Sequence, residues 1–296
     1  MGKLYTHSFG LLSARSVDPV EKKPLYHFLP GRPVLSVGSY GCNLSCDFCQ
    51  NHGISQFVPG AEQVTKRFPP DNLVDEAEGI DGNIGLAYTY NEPVVFYEYM
   101  RECAIRVRER HMKNLVISNG YIEESPLRSL LPLVDAFNID LKSFTENFYK
   151  SRCSARLSPV LRTISTIAES DAHLELTFLI IPGYNDHSGE WKKMLEWIRD
   201  NCGKDSILHV SRYFPRYKLD AKETSTGTMM QFTEMAREYL DFVYPGNAPE
   251  LDNNTRCPSC GSLQITRNGY HTESHVDKLN GSCSNCGSPL PGVFID

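Results

Sequence analysis

The chain has 296 residues, of which 41% are hydrophobic and 22% charged, which excludes a disulfide-stapled peptide or a disordered chain. Thirty Lys and Arg against 36 Asp and Glu give a net charge of −6 without a basic block, which disfavours nucleic acid as a partner. We find neither about 18 consecutive apolar residues nor an apolar leader after Met1. We therefore expect a cytoplasmic protein with no membrane partner.

Short β-branched runs alternate with amphipathic segments, a pattern typical of parallel strands joined by crossover helices. The predicted strands cover residues 33–40, 84–90, 115–119, 134–141, 174–181 and 207–213, and a last helix is predicted over 229–243. Six such units predict an α/β fold, a partial (β/α)6 TIM-like barrel over residues 31–245. An N-terminal extension, residues 1–30, precedes this core domain, and a small module, residues 250–296, follows a turn-prone segment.

Polar residues follow several predicted strands, at the barrel end where the chemistry of such folds collects. The second strand leads into Tyr90, Asn91 and Glu92, the third into Ser118 and Asn119, and the fourth into Asp140 and Lys142. These groups are expected to meet in one site, although any strand also exits into polar loop residues.

Ten cysteines in a chain without an export signal favour metal ligation over disulfides. Cys42, Cys46 and Cys49 lie within eight residues, directly after the first predicted strand. Tetrahedral zinc would need a fourth ligand, and the nearest candidate, His52, would make a compressed site. An iron-sulfur cubane can take three thiolates and leave one iron open, so the triple favours a [4Fe-4S] cluster.

Four more cysteines form two CxxCG motifs near the end of the chain, Cys257 with Cys260 and Cys283 with Cys286. This layout is typical of a zinc ribbon, in which all four thiolates bind one ion. A single iron, as in rubredoxin, fits the same four ligands. A module of this size is expected to depend on its metal for folding.

The segment 41–51, GCNLSCDFCQN, resembles the CxxxCxxC loop of radical SAM enzymes. Further stretches are similar to the glycyl-radical-enzyme activases, such as pyruvate formate-lyase activating enzyme, and more closely to the radical SAM member of the AmmeMemoRadiSam group. These stretches are residues 21–28, 35–56, 87–93, 138–142 and 181–186. The resemblance implies a [4Fe-4S] cluster on Cys42, Cys46 and Cys49. It also implies S-adenosylmethionine (SAM), whose reductive cleavage yields a 5′-deoxyadenosyl radical that abstracts hydrogen from a substrate.

The same resemblance assigns cofactor-binding roles residue by residue. Phe48 matches the position that holds the adenine, and Tyr90, Asn91 and Glu92 stand where activases carry Gly-Gly-Glu, which receives the methionine amino group. The remaining cofactor-binding candidates are Ser118, Asn119, Asp140 and Lys142. Ile117 and Thr177 replace an activase aspartate and arginine, so neither a cation site nor glycyl-peptide handling transfers directly.

Cys153 is the catalytic candidate, as a hydrogen donor or as a residue near the substrate, with a buried structural cysteine as the alternative interpretation. The expected partners are SAM, an unknown small-molecule or protein substrate, and an electron donor such as flavodoxin or ferredoxin. Two other functions stay open at this point. One is a non-enzymatic metal-ribbon adaptor, and the other is an RNA-modifying radical SAM enzyme, which the acidic balance disfavours.

Overall fold

The computed structural model describes residues 6–57 and 67–295, and its larger sheet holds eight strands in chain order. They are β1 (Ala14–Pro19), β2 (Pro33–Gly38), β3 (Gly85–Tyr88), β4 (Lys113–Ser118), β5 (Ala136–Asp140), β6 (His173–Ile180), β7 (Ile207–Arg212) and β8 (Phe242–Gly246). Strand β1 is antiparallel to β2, whereas β2 to β8 are parallel. The predicted α/β fold class, an open barrel, is confirmed.

Helices connect the parallel strands, as crossover connections require. They are α1 (His52–Ser55), α2 (Pro70–Glu78), α3 (Tyr97–Glu109), α4 (Glu124–Leu130), α5 (Glu146–Phe148), α6 (Leu157–Ala168), α7 (Ser188–Cys202) and α8 (Thr226–Arg237). A short π-helix, Tyr149–Cys153, follows α5. None of the helices in the described part of the chain has the length and apolarity needed to cross a bilayer.

Alternation along the strands separates two apolar layers. Leu35 and Val37 of β2 pack in the layer between sheet and helices, which also holds Val160 and Ile164 of α6. Val34 belongs instead to an inner cluster with residues from β3, β4 and β5. That inner cluster is completed by Val20, Leu25, Phe28 and Leu29. The predicted N-terminal extension therefore supplies both an edge strand and part of the barrel's filling.

The six predicted strands correspond to β2 to β7, but the predicted helix over residues 229–243 is wrong in its second half. Helix α8 ends at Arg237, and Phe242–Gly246 forms β8 beside β7. The run Phe242, Val243 and Tyr244 fits either period, and pairing with β7 decides the matter by giving its backbone groups partners.

The C-terminal module is a three-stranded antiparallel sheet of β9 (Thr255–Arg256), β10 (Leu263–Asn268) and β11 (His271–Ser274). Its apolar residues Ile265, Val276 and Leu290 pack against Ile207 and Phe242. Because Ile207 and Phe242 are the first residues of β7 and β8, the module lies at the amino end of the barrel.

Candidate functional site

A cavity of about 410 Å³ lies at the carboxyl ends of the parallel strands. This volume is within the range of about 300–1,000 Å³ typical of small-molecule sites. The sequence candidates that line it are Cys42, Cys46, Phe48, Cys49, Tyr90, Asn91, Glu92, Ser118, Asn119, Asp140 and Lys142. The structure thus brings together residues from four strand ends, as the barrel topology predicts.

The loop that carries the three cysteines is held by backbone hydrogen bonds from several sides. Ser45 N donates to Cys153 O at 3.0 Å, and Asp47 N donates to Arg152 O at 3.1 Å, so the π-helix supports the loop from below. Asp47 Oδ2 also pairs with Arg152 Nη1 at 3.0 Å. Gly41, at φ +87°, adopts a left-handed conformation that favours glycine and turns the chain into the loop.

Each loop thiol has a different neighbour. Asn119 Nδ2 donates to Cys42 Sγ at 3.6 Å, and Cys49 Sγ lies 3.0 Å from Ser55 Oγ. A hydrogen bond from Cys153 lowers the pKa of Cys46, whereas burial raises the pKa of Cys42 to about 12. The three thiols therefore occupy separate positions around the cavity wall.

This arrangement fits a cluster better than a single ion. A cubane binds each thiolate at a different iron, so its ligands lie farther apart than those of one ion. Among the described residues, Cys42, Cys46 and Cys49 do not gather into a set close enough to share one ion, whereas the C-terminal cysteines do. Backbone and amide N–H groups beside the sulfurs, such as Leu44 N at 3.3 Å from Cys42 Sγ, also suit a cluster.

Glu92 joins the ends of β3 and β4. Its carboxylate accepts hydrogen bonds from Ser118 Oγ at 2.7 Å, Asn119 N at 2.9 Å and Val94 N at 3.1 Å. Burial raises the pKa of Glu92 to about 7, although these hydrogen bonds oppose the shift. Ser118 and Asn119 thus reach the cavity as partners of Glu92.

Tyr90 adopts φ +69°, the left-handed conformation for which glycine would be the usual residue. Its hydroxyl donates to Asp18 Oδ2 at 2.8 Å, and Lys23 Nζ lies 4.7 Å from its ring centroid. Asn51 Nδ2 donates to its carbonyl at 2.6 Å. Tyr90 therefore adopts a backbone conformation typical of glycine. Contacts from the N-terminal segment and from Asn51 hold it in place.

Lys142 and Asp140 form an ion pair of 3.1 Å at the end of β5. Burial would lower the pKa of Lys142, but the charges of Asp140 and Cys46 outweigh it and raise this pKa well above its usual value. The Lys142 carbonyl accepts from Asn185 Nδ2 at 2.9 Å, and the same amide group donates to Leu179 O. A fixed positive charge therefore faces the cavity close to the cysteine loop.

Cys153 does not line the cavity. It is fully buried at the end of the π-helix, behind Cys46. Phe48 does line the cavity and packs against Phe148, with ring centroids 5.7 Å apart. The candidate hydrogen donor therefore lies outside the cavity that the candidate adenine contact lines.

Sequence reasoning missed several residues of the site. Pro24 lines the cavity, and its carbonyl accepts from Asn138 Nδ2 at 2.7 Å. Asn51 and Asn185 fix the Tyr90 and Lys142 backbones. Pro24 and Asn185 fall within stretches that carry the family resemblance, which was the available signal, but their roles depend on contacts between distant parts of the chain.

The four C-terminal thiols form a closed group with the spacing of a metal site at the other end of the barrel. Their sulfurs all lie within 4.8 Å of one another, and the pairs Cys257 with Cys286 and Cys260 with Cys283 are 3.7 Å apart. Bonds of about 2.3 Å to a tetrahedral ion imply sulfur separations of about 3.8 Å. Hydrogen bonding by Ser262 lowers the pKa of Cys260 to about 5, which favours the thiolate that binds metal.

Comparisons with known proteins agree with this geometry. The signature of the Radical SAM superfamily matches residues 36–198. An uncharacterized protein of Methanocaldococcus jannaschii is 40% identical over 99% of this chain and 88% of its own length. The benzylsuccinate synthase activating enzyme of Thauera aromatica is 20% identical over 67% of this chain and 60% of its own.

A solved structure, Streptococcus suis SuiB bound to S-adenosylmethionine, superposes with a TM-score of 0.57 at 12% identity. The match covers 79% of this chain and 55% of SuiB, and it bears on the fold. The superfamily signature covers more than half of the chain, and it includes the cysteine loop and the ends of β3 to β6 at the cavity. The chain therefore belongs to the radical SAM superfamily, whose members use a [4Fe-4S] cluster and SAM.

Proposed function

We propose that this protein is a radical SAM enzyme that cleaves SAM reductively at a cluster held by Cys42, Cys46 and Cys49. The observation that carries the proposal is that these three thiols and the cofactor-binding candidates of three further strand ends line one cavity. When bound, the cluster and SAM together supply a 5′-deoxyadenosyl radical able to abstract hydrogen from a substrate.

The chain's own residues would bind and orient these groups. The left-handed Tyr90 and the adjoining Asn91 present backbone at the cavity wall, in place of the glycines of activases. Lys142 and Asp140 offer a cation and an anion that can pair with the ionic groups of an amino acid. Phe48 offers an apolar ring for the adenine.

We infer that the substrate presents an electrically neutral group at its reacting carbon. Apart from the candidate cofactor residues, the wall formed by β6, β7 and the end of β8 carries Thr177, Leu179, Ser211 and Asn247, none of which is charged. A glycine in a peptide would satisfy this requirement, and so would a neutral small molecule. The likeness to a benzylsuccinate synthase activating enzyme supports an activase-like reaction.

The two other functions receive less support. The apolar side of the C-terminal module packs against the barrel, so it is not free for an adaptor's partner. Its few basic residues include Arg267, which is buried and hydrogen-bonded within the protein. The module therefore offers few exposed positive charges to RNA phosphates. We propose that this group of four cysteines binds a structural zinc ion. Elemental analysis that finds a single iron there instead would contradict the assignment of zinc.

The test uses anaerobically reconstituted protein, reduced in the presence of SAM, with release of 5′-deoxyadenosine as the readout. Cys46→Ala should lose the cluster iron and the product while it keeps the C-terminal metal. Cys202→Ala, which changes a cysteine on α7 outside the cavity lining, is the matched control. It should keep the cluster iron, the release of 5′-deoxyadenosine and the C-terminal metal. Cluster-loaded wild-type protein that releases no 5′-deoxyadenosine would contradict the proposal.

A further inference from the structure

The segment of residues 24–29 runs from the candidate active site to the C-terminal module. At one end, Pro24 lines the cavity, and its carbonyl is bonded to Asn138. The side-chain oxygen of Asn138, Oδ1, accepts a hydrogen bond from Thr177 Oγ1, and Thr177 also lines the cavity. We name residues 24–29 the floor segment.

In its middle, the floor segment is anchored inside the barrel by Glu175 of β6. The Glu175 carboxylate is fully buried and accepts from the backbone N–H groups of Tyr26 at 3.0 Å and His27 at 2.8 Å. The same carboxylate accepts from His173 and His209. The position of these two amides therefore depends on one buried carboxylate.

At its far end, the floor segment pairs with the tail that follows Cys286. Val293 N donates to His27 O at 2.8 Å, and Leu29 N donates to Val293 O at 2.7 Å. Gly292, at φ +137°, has no room for a side chain, because a Cβ there would overlap His27 O. The tail and the floor segment therefore pack backbone to backbone.

A second contact from the module reinforces this pairing. Arg267 of β10 is buried, and its Nη2 donates to Tyr26 O at 2.8 Å. Its guanidinium carbon lies 4.1 Å from the centre of the Tyr26 ring. Arg267 of the module thus contacts Tyr26, while the tail forms hydrogen bonds with His27 and Leu29.

We propose that the four-cysteine metal site positions the floor of the active-site cavity through the floor segment. The four thiolates close the short loops around Cys257 and Cys283, and so fix β10 and the tail relative to each other. A module of under fifty residues has too small a core to hold this arrangement without its metal. Loss of the metal releases Arg267 and the tail, and with them Tyr26, His27 and Pro24.

The test is hydrogen–deuterium exchange on the double variant Cys260→Ala/Cys286→Ala, which removes one exposed thiol from each CxxC pair. The Leu29 amide reports the tail contact directly, whereas the Tyr26 and His27 amides report transmission to the barrel interior. All three should exchange at least about tenfold faster than in the metal-loaded wild type. The control, Leu279→Ser at a 91% exposed position of the module, should change none of them.

Gly292→Val separates the transmission from the stability of the module, since it breaks the tail contact with all four thiols present. It should give the same faster exchange at Tyr26 and His27 while the bound metal stays stoichiometric. If the double variant does not fold, this variant tests the transmission, and wild-type protein freed of its C-terminal metal tests the dependence on the metal. Faster exchange confined to Leu29, or unchanged exchange in a metal-free sample, would overturn the proposal.

A second readout is SAM affinity of the cluster-loaded protein, which should fall about tenfold in Gly292→Val as the floor loosens. This readout rests on the proposed function, whereas amide exchange does not. Failure of the wild type to bind SAM would contradict the proposed function and leave the exchange result valid. Wild-type SAM affinity in Gly292→Val, with exchange at Tyr26 and His27 accelerated, would overturn the link to the cavity.

Discussion

Glu92 at the carboxyl end of the barrel and Glu175 at the amino end are both buried, and the two carboxylates have opposite electrostatics. At the carboxyl end, burial raises the pKa of Glu92 to about 7 despite three hydrogen bonds. At the amino end, burial would also raise the pKa of Glu175, but hydrogen bonds from His173 and His209 hold it well below its usual value. Glu175 also accepts two backbone N–H groups.

The opposite pKa shifts of Glu92 and Glu175 distinguish the open end of the barrel, which holds the cavity, from the closed end, which the C-terminal module covers. Glu175 is surrounded by hydrogen-bond donors, and Tyr26 and His27 pack beside it. That end of the barrel is therefore closed. Glu92 lines a cavity that also holds three thiols and Lys142, and its incomplete stabilisation leaves its charge dependent on what binds there. The C-terminal module covers the closed end, and the cysteine loop serves the open one.

The largest expected effect is on stability at the closed end. Glu175→Gln replaces an acceptor oxygen by an amide group that cannot accept, and so leaves two of four buried donors without a partner. We expect the free energy of unfolding to fall by about 3–5 kcal/mol, measured by urea denaturation. Glu169→Gln, at an exposed position, is the control. A loss below about 1 kcal/mol for Glu175→Gln would remove the distinction between the two ends.

The pH dependence of stability should differ between the two glutamates. A carboxyl whose folded pKa is raised to about 7 is less stabilised in the fold when ionised, so its contribution falls as pH rises from 4.5 towards 7. We expect the stability difference between wild type and Glu92→Gln to shift against the wild type by about 2 kcal/mol between about pH 5.5 and 7.5.

The same measurement on Glu175→Gln supplies the contrast. Because the folded pKa of Glu175 is lowered, its contribution is fully present above the unfolded value of 4.5 and is lost only as pH falls below it. Its difference curve should therefore be flat across this pH window. Parallel curves for the two variants would show that the two carboxylates do not differ in the way proposed.

Asn185 gives a smaller effect that should appear at the open end. Its amide group donates to the carbonyls of Lys142 and Leu179, and its oxygen accepts from Ile181 N. Asn185→Ala should cost about 1–3 kcal/mol of stability. It should also weaken SAM binding by about tenfold, because Lys142 loses its backbone anchor. Unchanged SAM affinity in calorimetry would place Lys142 outside the cofactor site.

The sequence predicts the site better than it predicts the ends of the chain. The cysteine loop and the strand ends are local signals, since alternation and spacing within a few residues mark them. The strand β8 was missed because Phe242, Val243 and Tyr244 fit a helix or a strand equally well, and only the distant β7 decides. The floor segment was missed for a similar reason, since it joins Pro24 to Asn138 and His27 to Val293 over more than a hundred residues.

The backbone of Tyr90 also depends on contacts with a distant part of the chain. A tyrosine stands where activases carry a glycine, yet its φ is +69°, in the left-handed region that favours glycine. The local sequence does not reveal the cause, because the compensation comes from Asp18 and Lys23 in the N-terminal segment. A partly buried hydrogen bond and a cation over the ring together offset a left-handed backbone that costs about 1–3 kcal/mol.

The smallest expected effect tests this compensation. Tyr90→Phe removes the hydroxyl that donates to Asp18 and should cost about 1 kcal/mol of stability, with a modest loss of SAM affinity. Tyr90→Gly loses the same hydrogen bond but needs no compensation for φ +69°, so it should bind SAM at least as well as Tyr90→Phe. Tyr90→Ala keeps the backbone cost without the side-chain contacts and should bind SAM most weakly of the three. Equal affinities for the glycine and alanine variants would show that the left-handed backbone at residue 90 does not govern cofactor binding at the open end.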